Sequence, residues 1–207
     1  MILESSPLCH TAPMSDHRRE SPSVARNTAP LLAALRPLLP ATGTLLEIAS
    51  GSGEHALAIA LAFPALTIQP SDPSPEARES IDAWAAGHTR IRPALALDAA
   101  LPWPPLAADA ILCINMIHIA PWATTLGLLA GAASVLPPGA PLVLYGPFRV
   151  AGHLVESNLA FDEDLRARDP SWGIRDLELL AAAAAGFAPP DFIPMPANNL
   201  TVTFRRL

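Results

Sequence analysis

The chain has few cysteines and no long apolar run, and each absence narrows what it can be. Its two cysteines, Cys9 and Cys113, lie far apart in the 207 residues, so we expect neither a disulfide framework nor a zinc site. No apolar stretch approaches the length of a membrane span, and residues 1–13 lack the basic start and apolar core of a secretion signal. We therefore expect a cytoplasmic protein without a membrane partner.

Positive charge is also scarce. All 13 basic residues are arginine, and with 19 acidic residues the formal net charge is −6 and the pI is about 5.4. Such a chain offers no basic field to a polyanion, so nucleic acid is not an expected partner. The composition favours a small-molecule partner instead.

Apolar residues are abundant, at 51% of the chain. This content and the length suit one domain with a sizeable core. We expect residues 1–20 to form a disordered leader, with Met14 as an alternative start, and residues 21–207 to form a single domain. The sequence does not predict the oligomeric state.

The most informative segment runs from Thr44 to Gly53. An apolar run meets Glu47 and continues into Ile48-Ala49-Ser50-Gly51-Ser52-Gly53, after which a helix is predicted to begin near Glu54. Glycine lets the backbone take unusual dihedrals and approach a ligand closely, and the free N–H groups of the helix start point into the same space. The pattern is typical of a nucleotide-binding loop.

Predicted strands alternate with predicted helices along most of the chain. The strands fall at residues 44–48, 66–69, 91–97, 109–114, 141–145, 192–193 and 200–204, and the helices at residues 21–39 (broken or kinked at Pro30), 54–62, 74–86, 122–136 and 176–185. This order predicts an α/β fold with a doubly wound, mostly parallel, seven-stranded sheet of the Rossmann-like kind. The link at residues 196–199 is so short that the last two strands must form an antiparallel hairpin.

Polar residues follow four of the predicted strands: Glu47, Asp72, Asp98 and Asn115. In a doubly wound sheet, ligands bind beyond the carboxyl ends of the strands, so these side chains are expected to meet at one site. Asp72 can accept both hydrogen bonds of a ribose diol, and Asp98 can accept one from an adenine amino group. The alternative is that each acidic residue only caps a helix or turn.

The segment Gly51-Ser52-Gly53-Glu54-His55-Ala56 also satisfies the dinucleotide fingerprint in its alanine-ended form. A nicotinamide or flavin cofactor is therefore one candidate. Two features favour S-adenosylmethionine: Glu47 stands four residues before the first glycine, where it can face an ammonium group, and the antiparallel hairpin is foreign to the usual dinucleotide fold. Asp72 does not discriminate, since both cofactors carry the diol.

A set of short motifs extends this picture from residue 21 to the C-terminus. They are Arg26-Asn27, Glu47 to Gly53 with His55-Ala56, Pro70-Ser71-Asp72-Pro73, Asn115-Met116-Ile117-His118-Ile119, Leu144-Tyr145-Gly146-Pro147-Phe148, Ser157-Asn158, Arg168-Asp169-Pro170, Trp172-Gly173-Ile174-Arg175-Asp176 and Pro196-Ala197-Asn198-Asn199-Leu200. Together they resemble the methyltransferase-like protein 26 family, a domain of unknown function within the class I S-adenosylmethionine-dependent methyltransferases. The resemblance implies that fold, and S-adenosylmethionine as cofactor without a metal. The cofactor contacts expected are Glu47, Ala49, Gly51, Gly53, His55, Asp72, Asp98 and Asn115.

Other residues of these motifs are candidates for the methyl acceptor. Asn115 and His118 follow the fourth strand, near the expected methyl group, and His118 could act as a general base or orient the acceptor. Its alternative role is that of a helix-start histidine bonded to backbone. The expected acceptor-binding residues are Arg26, Asn27, Tyr145, Phe148, Asn158 and Arg175. Ordinary core packing of the aromatic rings and surface pairing of the arginines are the alternatives.

The sequence thus predicts a methyltransferase that acts on a small polar or anionic acceptor. Alignment of the acceptor, exclusion of water and removal of a proton would be the work of the protein. Two alternatives stay open: a protein that binds S-adenosylmethionine or S-adenosylhomocysteine without catalysis, and a nicotinamide-dependent oxidoreductase.

Overall fold

A computed structural model describes residues 17–207 of the chain. Residues 1–16, with Cys9 and most of the predicted leader, lie outside the described part. The helices are α1 (Pro22–Leu35), α2 (Glu54–Ala62), α3 (Pro75–Ala85), α4 (Trp122–Val135), α5 (Glu156–Arg168) and α6 (Leu177–Ala183). The strands are β1 (Gly43–Ile48), β2 (Leu66–Pro70), β3 (Ala110–Ile114), β4 (Pro141–Gly146), β5 (Phe148–Arg149), β6 (Arg175–Asp176), β7 (Asp191–Met195) and β8 (Asn199–Arg205).

The main sheet has six strands in the order β2-β1-β3-β4-β8-β7. The first four are parallel, whereas β8 runs antiparallel to β4 and β7 antiparallel to β8. The doubly wound, mostly parallel sheet and its antiparallel C-terminal hairpin are therefore confirmed. Because β1 to β4 are parallel, their carboxyl ends share one edge of the sheet, and the β7–β8 turn reaches the same edge.

The predicted count of seven strands is wrong, because residues 91–97 do not form a strand. Two isolated bridges tie this segment to β2, one between Ile91 and Ile68 and one between Leu95 and Ser71. The two bridges are three residues apart along residues 68–71 and four residues apart along residues 91–95, so the second segment contains one extra residue. Pro93 lies within that stretch and has no N–H for a ladder hydrogen bond, which explains the interruption.

The first helix also departs from expectation. The break predicted at Pro30 does not end it, since α1 runs from Pro22 to Leu35 with that proline inside. Thr28 adds a hydrogen bond from its hydroxyl to the carbonyl of Val24 one turn earlier. Helical residues stop at Leu35 rather than near residue 39, and Pro37 has no N–H to continue the pattern.

Helices cover both faces of the sheet. On one face, Leu31 and Leu35 of α1 are packed in a core with the side chains of α2 and of alternate strand residues such as Leu112. On the other face, Leu128 of α4 and Leu180 of α6 belong to the second core. Alternation along β3 assigns its side chains to the two cores in turn, and Cys113 is buried among them as a free thiol, as its apolar surroundings predict.

A small insertion stands between β4 and the hairpin. Within it, β5 pairs with β6 in a separate two-stranded sheet, and α5 lies between them in the chain. No helix within residues 17–207 is long and apolar enough to cross a membrane. In the same part of the chain, no cluster of three or more His, Cys, Asp or Glu side chains is arranged to hold a metal ion.

Candidate functional site

The loop between β1 and α2 contains three residues with left-handed backbone. Ala49 has φ 53°, Gly51 has φ 60° and Gly53 has φ 92°. The turn closes through the amide of Gly53, which donates to the carbonyl of Ser50 at 3.1 Å. Left-handed alanine is costly, and such strain concentrates at ligand sites. The loop is thus shaped by more than the need to connect a strand to a helix.

The two loop glycines have different surroundings. A Cβ at Gly53 would lie 2.6 Å from the Cα of Ile81 in α3, so glycine is required there by helix packing. A Cβ at Gly51 would meet only the carbonyl oxygen of Ala49, at 4.0 Å, among the described residues. Gly51 therefore borders open space at the carboxyl edge of the sheet, where a ligand can approach its backbone.

This difference predicts that Gly53→Ala destabilises the fold. The new methyl group would push α3 away from α2 and strain a left-handed backbone, so we expect a loss of about 2–4 kcal/mol in the free energy of unfolding. Urea denaturation measures it. The matched control is Gly87→Ala, with φ +81° and no described atom within 4 Å of its Cβ, where only the strain of about 1–2 kcal/mol applies. Equal losses in the two variants would contradict the packing role of Gly53.

Glu47 is buried at the end of β1 with one oxygen unpaired. Its side chain is 2% exposed, and its Oε2 atom has no hydrogen-bond partner among the described residues. Burial raises the pKa of this carboxyl from 4.5 to about 7. A hydrogen bond to Ser50 acts to lower this pKa, and the negative charge of Asp72 acts to raise it. A buried polar atom without a partner is rare, so this oxygen fits a ligand with a cationic donor.

Asp72 connects the glycine loop to the start of α3. Its Oδ2 accepts from the amide of Gly51 at 3.0 Å, and its Oδ1 accepts from the amide of Ser74 at 2.9 Å. Ser74 is the N-cap of α3, so the capping alternative describes part of what Asp72 does. Each carboxylate oxygen has a further lone pair, which leaves the side chain able to accept from a diol.

Asp98 stands at a narrow apolar cleft of about 230 Å³ beyond β1 and β3. The cleft is lined by Ile48, Ala49, Pro73, Leu97, Asp98, Ala99, Met116, Ile119, Ala120 and Thr124. Asp98 is exposed, and its Oδ1 accepts from the amide of Ala100 at 2.9 Å. The carboxylate thus closes a turn and also lies at the entrance of an apolar slot that suits a flat aromatic ring.

Asn115 and His118 lie together where β3 ends. Asn115 has φ 60°, and its backbone N–H donates to the backbone carbonyl of Tyr145 at 2.8 Å. A Cβ at Gly146 would lie 2.6 Å from Nε2 of His118 and 3.0 Å from Oδ1 of Asn115, so both side chains pack against this glycine. The structure therefore brings the two candidate catalytic residues to one place.

His118 is buried and neutral. It is 1% exposed, and neither ring nitrogen has a hydrogen-bond partner among the described residues. Burial, together with the charge of Arg175, lowers the pKa of this imidazole from 6.5 to about 3. Its ring meets the ring of Phe148 edge to face at 5.2 Å. A base with this pKa is weak at neutral pH, so the geometry favours a positioning role for His118.

His55 is likewise buried, in the first turn of α2. It is 8% exposed, and its Nε2 atom has no partner within the described residues. Burial lowers the pKa of this imidazole from 6.5 to about 4, although the charge of Glu54 opposes the change. The side chain belongs to the interior below the loop rather than to its open surface.

The expected acceptor residues fall into separate groups. Tyr145 is 1% exposed, and its hydroxyl accepts from Nδ2 of Asn199 at 3.2 Å. Phe148 and Asn158 line a second cleft at the same edge of the sheet. Arg26 is exposed on α1, and Asn27 is half-buried beside it.

Arg175 has a structural role that the sequence did not reveal. Its Nε donates to the carbonyl of Ile117 at 2.7 Å, and its Nη2 donates to the carbonyls of Ala120 and, at 3.2 Å, of Ser171. The guanidinium also lies over the ring of Trp122, 5.8 Å from its centre. These contacts hold the loop after β3 in place.

Sequence reasoning missed a polar clasp around the glycine loop. One oxygen of Glu54 accepts from the amide of Ser21 and from the hydroxyl of Ser52, both at 2.8 Å. The hydroxyl of Ser80 donates to the carbonyl of Ser52 at 2.7 Å and accepts from the amide of Arg19 at 2.9 Å. The last residues of the predicted leader therefore lie against α3. Pairings across 33 and 61 residues leave no local signal in the sequence.

Solved structures with a similar fold include several methyltransferases. The chain matches human N-acetylserotonin methyltransferase in complex with S-adenosylmethionine with a TM-score of 0.76 and 15% identity, over 89% of this chain and 52% of that one. It matches the calicheamicin-biosynthesis methyltransferase CalO1 in its S-adenosylhomocysteine-bound form with a TM-score of 0.73 and 20% identity, over 89% and 54% of the two chains. A family 2 O-methyltransferase from Planctomyces limnophilus in complex with apigenin gives a TM-score of 0.72 and 22% identity, over 89% and 60%.

These likenesses define the fold as that of the class I methyltransferases. The chain spans a little over half the length of these solved structures. Residues 18–206 match the family described as "Protein of unknown function (DUF938)", and the chain belongs to that family.

Proposed function

We propose that the protein is an S-adenosylmethionine-dependent methyltransferase that acts on a small-molecule acceptor. The observation that carries the proposal is the pairing, at one edge of the sheet, of open space over Gly51 with the unpaired, buried carboxylate oxygen of Glu47. An ammonium group next to a glycine backbone satisfies both features. The shared fold supports the proposal, as does the resemblance of the motifs to the methyltransferase-like protein 26 family.

The residues at this edge fit the parts of the cofactor. Glu47 would face the ammonium group directly or through water, and Gly51 with Gly53 would flank the methionine end. Asp72 would accept from the ribose hydroxyls, and Asp98 from the adenine edge within the apolar cleft. When bound, S-adenosylmethionine would supply an electrophilic methyl group on its sulfonium, to which the acceptor atom would bond in line while the C–S bond breaks and its electron pair stays with sulfur.

The protein's part in such a displacement is alignment and exclusion of water. Asn115 directly follows β3 and its backbone N–H donates to the carbonyl of Tyr145 in β4, and we assign it the orientation of the acceptor. His118 supports Asn115 through their common packing on Gly146. Any acceptor proton would then leave to solvent or to a group of the acceptor, because the imidazole of His118 is a poor base at neutral pH.

Isothermal titration calorimetry with S-adenosylmethionine, S-adenosylhomocysteine and NAD tests this proposal. We expect both sulfur compounds to bind and NAD to give no heat. Binding of NAD alone would favour a nicotinamide-dependent oxidoreductase. Binding of the sulfur compounds without S-adenosylhomocysteine formation in the presence of an acceptor that binds would favour a non-catalytic cofactor-binding protein.

Asp98→Ala is expected to weaken S-adenosylmethionine binding by about 1.5–3 kcal/mol, the range of a hydrogen bond to a charged group. The variant removes the carboxylate from the entrance of the apolar cleft. The control is Asp169→Ala, since Asp169 closes a comparable turn by accepting from the amide of Ser171 but lies outside this cleft. Titration of both variants measures the effect. Identical affinities would mean that Asp98 serves its turn alone.

A further inference from the structure

A second cleft, of about 350 Å³, lies beyond β4 at the same edge of the sheet as the glycine loop. Most of its lining residues are apolar: Phe148, Val150, Leu154, Val155, Pro194, Met195 and Leu200. We propose that this cleft binds the methyl acceptor and that the acceptor is an uncharged, largely apolar molecule bearing O–H or N–H donors. The inference rests on the proposed function, and the volume suits a ligand of one or two fused rings.

Phe148 connects this cleft to the two candidate catalytic residues. Phe148 forms part of its wall and also meets the ring of His118 edge to face at 5.2 Å. His118 in turn packs with Asn115 against Gly146 at the end of β4. The wall of this cleft is therefore in contact, through Phe148 and His118, with the residues that follow β3.

Three asparagines give the cleft its polar character: Asn158, Asn198 and Asn199. The amide nitrogen of Asn158 donates to the carbonyl of Asn198 at 3.1 Å, and that of Asn199 donates to the carbonyl of Pro196 at 3.2 Å. The nitrogen of Asn198 pairs with the hydroxyl of Ser157 at 2.9 Å. The side-chain oxygens of these asparagines accept no hydrogen bond within the described part of the chain. They can accept from water or from a ligand that carries donors.

The described residues that line this wall include no Arg, Asp or Glu. Among them the one titratable side chain is that of His153, which is exposed. A carboxylate or phosphate placed among these apolar side chains would lose its hydration without gaining a cation. An uncharged acceptor follows, whereas the sequence predicts a small polar or anionic one.

A different cleft, of about 500 Å³, is lined by Arg149, Arg166 and Arg175, and each of these side chains already has a partner within the protein. Asp162 pairs with Nε of Arg166 at 3.0 Å and with Nη2 of Arg149 at 3.8 Å. Arg175 donates to backbone carbonyls, as described above. These arginines therefore stabilise the fold of the insertion. The apolar cleft is the better acceptor site.

Two probes with the same ring system and different charge test the inference: 2-naphthol and 2-naphthoate. Each is titrated into the full chain after saturation with S-adenosylhomocysteine, whose own binding is measured first. We expect 2-naphthol to bind at least about tenfold more tightly than 2-naphthoate, because the carboxylate finds no cation. Leu154→Arg places a cation in the wall and should reverse this preference. The matched control Leu179→Arg alters an exposed residue of the arginine cleft and should leave it unchanged.

The outcomes separate the inference from the function on which it rests. Failure of S-adenosylhomocysteine to bind would overturn the proposed function. Normal cofactor binding with tighter 2-naphthoate, lost in Arg149→Ala, would overturn the inference and assign the acceptor to the arginine cleft. Normal cofactor binding with neither probe bound, or with a preference that Leu154→Arg does not change, would overturn it as well.

Discussion

Gly51→Val is expected to abolish S-adenosylmethionine binding while the protein stays folded. The space over Gly51 is open in the protein, since the nearest described atom to its Cβ position is the carbonyl oxygen of Ala49 at 4.0 Å. A valine side chain would fill the place assigned to the methionine end of the cofactor. We expect affinity to fall by at least ~100-fold, which is about 2.7 kcal/mol or more. Titration calorimetry measures the loss.

Strain from the left-handed backbone must be separated from loss of the binding space. Gly87→Val serves as control, because Gly87 has φ +81° and no described atom within 4 Å of its Cβ position. Both variants should lose similar stability in urea, on the order of 1–2 kcal/mol for a left-handed side chain. Only Gly51→Val should lose affinity. Unchanged affinity in that variant would remove the glycine loop from the cofactor site.

Glu47→Gln is expected to stabilise the free protein at pH 8 and to weaken its binding of S-adenosylmethionine. The folded pKa of Glu47, about 7, exceeds its ordinary value of 4.5. The folded state therefore holds the Glu47 proton more tightly than the unfolded state does. The protonated side chain contributes fully to the free energy of unfolding below pH 4.5, and this contribution is lost as the pH rises through about 7. The difference corresponds to about 3 kcal/mol at pH 8. Glutamine stays uncharged and avoids this loss.

Urea denaturation at pH 5 and pH 8 checks the stability effect. The variant should match the native protein more closely at pH 5 and exceed it at pH 8, whereas the exposed control Glu163→Gln should show no such change. Cofactor affinity should move in the opposite direction. For the native protein it should fall as the pH drops below about 7, because protonation removes the charge that faces the ammonium group. Equal pH dependence in the native protein and Glu47→Gln would rule out Glu47 as the source.

A residue that lowers stability in exchange for binding is expected at a functional site. Glu47 is buried without a partner for Oε2, whereas Asp72, at the end of the next strand, binds two amides. Packing alone would favour an apolar side chain at the Glu47 position. The unpaired oxygen is therefore most simply explained by a ligand.

Local patterns predicted the parts of the fold that depend on local chemistry. The apolar run of β3 and the Ser-Pro-Glu cap of α3 predicted the ends of this strand and this helix to within one or two residues. Burial and capping depend on only a few neighbouring positions in the sequence. The segment at residues 91–97 carried the apolar pattern of a strand. It does not form a strand because Pro93 has no N–H to donate to the carbonyl of a neighbouring strand. This hydrogen bond joins distant parts of the chain, so the local pattern does not reveal its loss.

The site was predictable where it lies on the shared edge of the sheet. Topology alone places Glu47, Asp72 and Asn115 at that edge, and the structure confirms this placement. The partners of Arg175 were not predictable, since its donors reach carbonyls 55 and 58 residues away. The burial of His118 depends in the same way on the packing of Phe148 from a later part of the chain.

The central claim is that the cleft at the ends of β1 to β3 holds S-adenosylmethionine. The most direct test is a crystal structure of the protein grown with excess S-adenosylhomocysteine. The account predicts density in which the amino-acid end lies over Gly51 with its ammonium near Glu47, the ribose within hydrogen-bond distance of Asp72, and the adenine in the cleft beside Asp98. Density for the ligand elsewhere, or a cleft that stays free of it at saturating concentration, would contradict the account.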